Sequence, residues 1–117
     1  MKLKRESVDY IKDILEAISK IEQFTQGMDY RTFVNDEKTV FAVIRAFEII
    51  GEAAKNVSQS IKTKYANVPW REMSGIRDKL IHEYFGVIYK VIWQTIKEDI
   101  PPLKPNIEQI LKDINRE

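Results

Sequence analysis

The stretch DEKTVFAVIRAFEIIGEAAKNV, from Asp36 to Val57, decides the fold. Val40, Val43/Ile44, Phe47, Ile50, Ala54 and Val57 recur at steps of three and four, the period of an amphipathic helix. Gly51 lies inside that pattern, where it costs about 1 kcal/mol against alanine. Close to Ala53 and Ala54, it marks a point where another backbone approaches, so tight helix–helix packing is expected there.

The same period runs outward in both directions. Val8, Ile11, Ile14/Leu15, Ile18 and Ile21 define a first helix, with Ser7 expected as its N-cap and Gln26-Gly27-Met28-Asp29 as its end. Tyr30 to Asn35 reads as a connection, and Ser58 to Asn67 as a helical turn or two. Pro69 fits the first turn of a third helix carrying Trp70, Met73, Ile76, Leu80 and Ile81, reaching at least His82. Gly86 loosens the chain beyond it. A fourth helix holds Ile88, Val91/Ile92, Ile96 and Ile100, until Pro101-Pro102 stops it. Pro105 opens a last one with Ile107, Ile110/Leu111 and Ile114. No strand-like alternation appears. The expected fold is all-α, an antiparallel up-and-down bundle of four main helices plus a short fifth, in a single domain over residues 1–117.

Composition narrows the chemistry. The 117 residues include no cysteine and one histidine, so thiolate chemistry is absent and a zinc or iron site is not expected. A net charge of +1 gives no global pull toward nucleic acid, so any such contact must use a local patch. Lys55, Lys62, Lys64, Arg71, Arg77 and Lys79 form one along the middle of the chain. The basic N-terminus is not followed by the apolar run of a signal peptide, and no run suits a membrane span. A cytoplasmic protein without cofactor or membrane partner is expected.

The one histidine lies in Arg77-Asp78-Lys79-Leu80-Ile81-His82-Glu83-Tyr84. On a regular helix a five-residue step turns by ~500°, setting Arg77 and His82 about 140° apart. Asp78 and His82 share a face, so an Asp78 carboxylate would orient the imidazole and favour its charged form. Metal-independent RNA cleavage needs a base for the 2′-OH, an acid for the leaving oxygen and a cation on phosphorus. One imidazole supplies half of that. Two copies around a two-fold axis would supply the rest, so a nuclease built on this segment is expected to be a homodimer with a composite site. For Glu48 and Glu52 three readings stay open: acceptors for Arg45 or Arg77, residues lining the cleft, or a purely structural pair. Trp70, Trp93 and Phe85 read as core or dimer interface.

The segment resembles the R-x4-H-x-Y motif of the HepT ribonuclease toxins of the HEPN superfamily, through Arg77, His82 and Tyr84. Arg45-Ala46-Phe47-Glu48-Ile49-Ile50-Gly51-Glu52-Ala53-Ala54-Lys55 is similar to that family's second-helix signature. Val68-Pro69-Trp70, Gly75-Ile76-Arg77-Asp78, Ile92-Trp93-Gln94-Thr95-Ile96, Asp99-Ile100-Pro101 and Leu103 extend the likeness over nearly the whole chain. The resemblance implies a dimeric helical bundle with the two motifs facing each other. It implies a metal-independent endoribonuclease, toxic when uncontrolled, acting on tRNA or other RNA. Arg77 would bind the scissile phosphate, His82 would act as general acid/base, and Asp78 would support them. The partner implied is a nucleotidyltransferase antitoxin of the MntA kind, transferring AMP from ATP onto Tyr84. A rival reading keeps the bundle but makes it a catalytically idle docking subunit for such a nucleotidyltransferase.

Overall fold

The computed structural model describes residues 5–80 and 88–116, and among these every regular element is helical. Helix α1 spans Ser7–Thr25, α2 Tyr30–Val34, α3 Glu37–Asn56 and α4 Gln59–Lys64. They are followed by α5 Trp70–Ser74, α6 Ile76–Leu80, α7 Tyr89–Gln94, a π-helical turn Thr95–Asp99 and α8 Ile100–Asn115. The all-α architecture expected from the sequence is the one found.

Helices α1 and α3 are the central pair. The faces that meet carry Ile11, Ile14, Ile18 and Ile21 on one side and Val40, Val43, Phe47 and Ile50 on the other, all buried. Each fully buried side chain of this kind contributes roughly 1.5–3 kcal/mol relative to exposure. Contacts at the ends set the direction. The Ser58 backbone N–H, just past α3, donates to Ser7 Oγ at the start of α1 at 3.0 Å. Lys104 near the start of α8 donates to Glu22 near the end of α1 at 2.7 Å. The neighbours on either side of α1 therefore run antiparallel to it.

Local chemistry places most boundaries. Gly27 ends α1 in the left-handed region at φ +76°, a conformation costly for other residues. Asp36 accepts from the Thr39 N–H at 3.1 Å to start α3, and Ser58 caps α4. At α1, however, Glu6 occupies the cap position and its N–H donates to Asp9 Oδ2 at 3.0 Å. Ser7 is the first helical residue, its hydroxyl taken by Ser58. The segment expected as a connection also folds, into α2. Asp29 accepts the Thr32 N–H at 2.8 Å, and Phe33 is fully buried with its ring 5.2 Å from that of Trp93.

Two further departures come from backbone constraints. The third expected helix is built in two pieces, α5 and α6, with Gly75 between them at φ −95°, ψ 7°. Ser74 Oγ donates to the Trp70 carbonyl at 2.9 Å, competing with the helical ladder at that point. Pro69 stands one residue ahead of α5. The stop expected at Pro101-Pro102 does not occur either, and helical backbone continues from Tyr89 to Asn115. Prolines at 101 and 102 have no N–H to give to residues 97 and 98, and in a regular α-helix their rings would press on those carbonyls. The π-helical turn just before them widens the ladder, with the Ile100 N–H reaching back five residues to Thr95 O. Gln94, Asp99 and Ile100 all keep right-handed helical angles, so the chain passes through without a break.

Candidate active site

Gly51 explains how α6 reaches α3. A Cβ built on Gly51 would lie 3.2 Å from both the Met73 carbonyl oxygen and Ile76 Cγ2. Hydrogen in place of a side chain thus lets the α5–α6 junction rest on α3, as its position in the sequence foretold. Ile76 and Leu80, four residues apart, bury one face of α6. Arg77 is therefore carried to the adjacent surface, over the turn of α3 that precedes Gly51.

Glu48 is waiting there. Arg77 Nε donates to Glu48 Oε2 at 3.1 Å, and Arg45 Nη1 stands 3.9 Å from Glu48 Oε1. The two arginine side chains are 64% and 72% exposed, against 30% for Glu48. Of the readings left open for Glu48, the acceptor is the one found; Glu52 is exposed on α3. Asp78 is exposed on α6. Lys79 Nζ pairs with Asp99 Oδ2 at 3.4 Å, joining α6 to the end of the π-helical turn. Both Lys79 and Arg77 thus have an acidic partner, which moderates the local basic patch. His82 and Tyr84, the other two nominated residues, lie outside the described residues, as does Phe85.

Beside Lys79 a cavity of about 760 Å³ opens between α3, α5, α6 and α8. Its floor is apolar, with Phe47, Ile50 and Met73, while Arg71 and Lys79 stand at its rim. Arg77 does not line it. Trp70 and Trp93 are used for packing: Trp70 is buried and its indole N–H donates to the Tyr65 carbonyl at 3.1 Å, while Trp93 lies against Phe33 and Tyr30. Among the described residues, no three or more His, Cys, Asp or Glu side chains are grouped as metal ligands would be, and no helix is long and apolar enough to cross a membrane.

The Lys79–Asp99 pair, 20 positions apart, has no signal in the sequence, whereas Arg77–Glu48, 29 apart, is one of the pairings that the sequence left open. The one available signal for Glu48 was its place one turn before Gly51 on the face that meets α6.

The all-α bundle, with an exposed motif arginine braced on its long central helix, is consistent with a HEPN-like helical fold. Comparison with known proteins gives the family. The profile of the family described as "Ribonuclease HepT-like" matches residues 14–110. "Probable ribonuclease HepT" of Thermococcus cleftensis is 54% identical over 110 residues, covering 94% of this chain and 100% of that protein. "Putative RNase MJ1216" of Methanocaldococcus jannaschii is 45% identical over 111 residues, 95% of this chain and 92% of its own length. "Putative RNase MJ0125" of the same organism is also 45% identical over 111 residues, with 95% and 96% covered. No solved structure matches the chain. The protein belongs to the ribonuclease HepT-like family.

Proposed function

We propose that this protein is a metal-independent endoribonuclease, the toxin of a toxin–antitoxin pair, acting as a homodimer with a composite site at the dimer interface. One observation carries the reading: in a chain of a ribonuclease family, Arg77 of the R-x4-H-x-Y segment is held at the surface by Glu48 instead of being used in the core. A guanidinium so placed can bind a phosphodiester and neutralise charge building on phosphorus in the transition state.

The chemistry divides between two kinds of group. Arg77 fixes the scissile phosphate. His82 takes the 2′-OH proton, and the partner's imidazole protonates the 5′-oxygen as it leaves, giving a 2′,3′-cyclic phosphate. Asp78 supports this arrangement from the same short helix. No metal ion or other cofactor enters the scheme. Tyr84, two residues beyond His82, is the site at which a cognate nucleotidyltransferase adds AMP, and each added phosphate would occupy the arginines and repel RNA.

The test is direct. Unmodified protein incubated with tRNA and other RNA in EDTA should cleave, and Arg77→Ala and His82→Ala should each lower the rate by roughly 10²–10³. Intact mass after incubation with the nucleotidyltransferase and ATP should rise by AMP increments that Tyr84→Phe abolishes. Failure of the purified protein to cut RNA at any concentration would instead support a docking subunit.

A further inference from the structure

The geometry points to Glu48 as a positioning residue that sets Arg77 and Arg45 side by side as a clamp for two successive phosphates of an RNA strand. This rests on the ribonuclease reading above and extends it to a residue and a subsite that the motif does not contain. Arg77 Nε stands on one oxygen of the Glu48 carboxylate at 3.1 Å, and Arg45 Nη1 faces the other at 3.9 Å. Two guanidiniums thus straddle a single carboxylate. A guanidinium carries five N–H donors in a planar fork. With Nε given to Glu48 and no other partner among the described residues, the terminal Nη pair of Arg77 is placed to grip a phosphate end-on.

The cluster is poorly suited to a purely structural role. Ion pairs as exposed as these contribute roughly 0–1 kcal/mol, and a structural pair needs only one cation. Among the described residues there are two for one anion, so the group keeps an excess positive charge. Arg45 and Glu48 lie three apart on α3 while Arg77 comes from α6, so the carboxylate also fixes the two cations relative to each other across a helix junction. Without it, the two like charges would repel and splay. With it they form a short cationic row, complementary to the row of charges on a nucleic-acid backbone. Arg77 takes the phosphate to be cut and Arg45 the next one along.

Steady-state cleavage and binding to a 2′-O-methyl RNA oligonucleotide, which binds but cannot be cut, test this together. Glu48→Gln should lower kcat about tenfold while KM stays level or falls, because a negative charge has been removed beside the phosphates. A residue that merely held the fold would not split the two constants in that direction, and Glu48→Asp should recover part of the loss. Arg45→Ala should raise KM and flatten the slope of log affinity against log salt by ~0.7, the value for one phosphate contact on a single strand. Wild-type kcat and KM in Glu48→Gln, or an unchanged salt slope in Arg45→Ala, would overturn the clamp. Should Glu48→Gln fail to fold, the exposed Arg45 still decides the matter through its slope. A wild-type protein that binds the oligonucleotide with an Arg45-dependent slope yet cuts no RNA would defeat the ribonuclease reading and leave the clamp standing. Cleavage with both variants behaving as wild type would do the reverse, and absence of RNA binding would end both.

Discussion

Replacing Gly51 by alanine sets two effects of similar size against each other, and the structure decides which wins. In an open helical position the change stabilises by about 1 kcal/mol, because glycine loses more backbone freedom on folding. At Gly51 the new methyl would stand 3.2 Å from Ile76 Cγ2 and 3.2 Å from the Met73 carbonyl oxygen, a few tenths of an ångström inside comfortable contact. Neither neighbour can move cheaply, since Met73 O belongs to backbone and Ile76 is buried. Overpacking of this kind costs typically 1–3 kcal/mol. The expected net result is a destabilisation of about 1 kcal/mol, or a Tm lowered by roughly 4 °C for a chain of this size. Urea unfolding followed by far-UV circular dichroism, at unchanged m-value, measures it. Cleavage per folded molecule should fall too, because Ile76 immediately precedes Arg77 and pushing it outward shifts the guanidinium on Glu48. A variant about 1 kcal/mol more stable than the parent, with full activity, would refute the close seating of α6 on α3.

Other substitutions probe separate parts of the fold. Phe33→Ala removes a fully buried ring from α2 and should cost about 3–5 kcal/mol in the same unfolding assay; a loss under about 1 kcal/mol would mean that α2 is not docked. Gly27→Ala should cost about 1 kcal/mol despite open space around it, because φ is +76° there, and Gly27→Asn should cost less; equal stability of all three would contradict the left-handed turn. Asp113 accepts from Tyr65 Oη at 2.6 Å and from Gln109 Nε2 at 2.8 Å, which holds its carboxyl below the ordinary carboxylate range. A depressed carboxylate stabilises the fold above its unfolded pKa, and the contribution is lost as pH falls through the folded value. Tyr65→Phe should therefore move the Asp113 titration upward by NMR and narrow its stability deficit in acid; an unmoved titration would remove that hydrogen bond from the account.

Where burial and period coincide, the primary structure was easy to read. The stripes on α1 and α3, the glycine that admits α6, and the left-handed end of α1 all follow from residue type and spacing alone. Elements set by competition between local preferences were harder. Asp29 and Phe33 make a helix of a five-residue segment too short to show a period. Ser74 and Gly75 break a helix whose apolar pattern continues unbroken. At the site, Arg77 was legible as a motif member and Glu48 as one candidate acceptor for it, but the choice among the roles open to Glu48 was not, because the two become neighbours only when α6 folds back onto α3.

The π-helical turn at Thr95–Asp99 has a bearing on how this chain tolerates length changes. One surplus residue is absorbed there, so the wheel positions of α7 and α8 are out of phase by a single step of about 100°. Deleting one residue between 95 and 99 would let the ladder close as an ordinary helix with Ile92 on one side and Ile107 and Ile110 on the other keeping their faces, but it would press the rings of Pro101 and Pro102 onto the carbonyls of the preceding turn. Helices are usually regarded as intolerant of such edits everywhere along their length; in this one the spare residue is already present, and it is the prolines after it that make it indispensable.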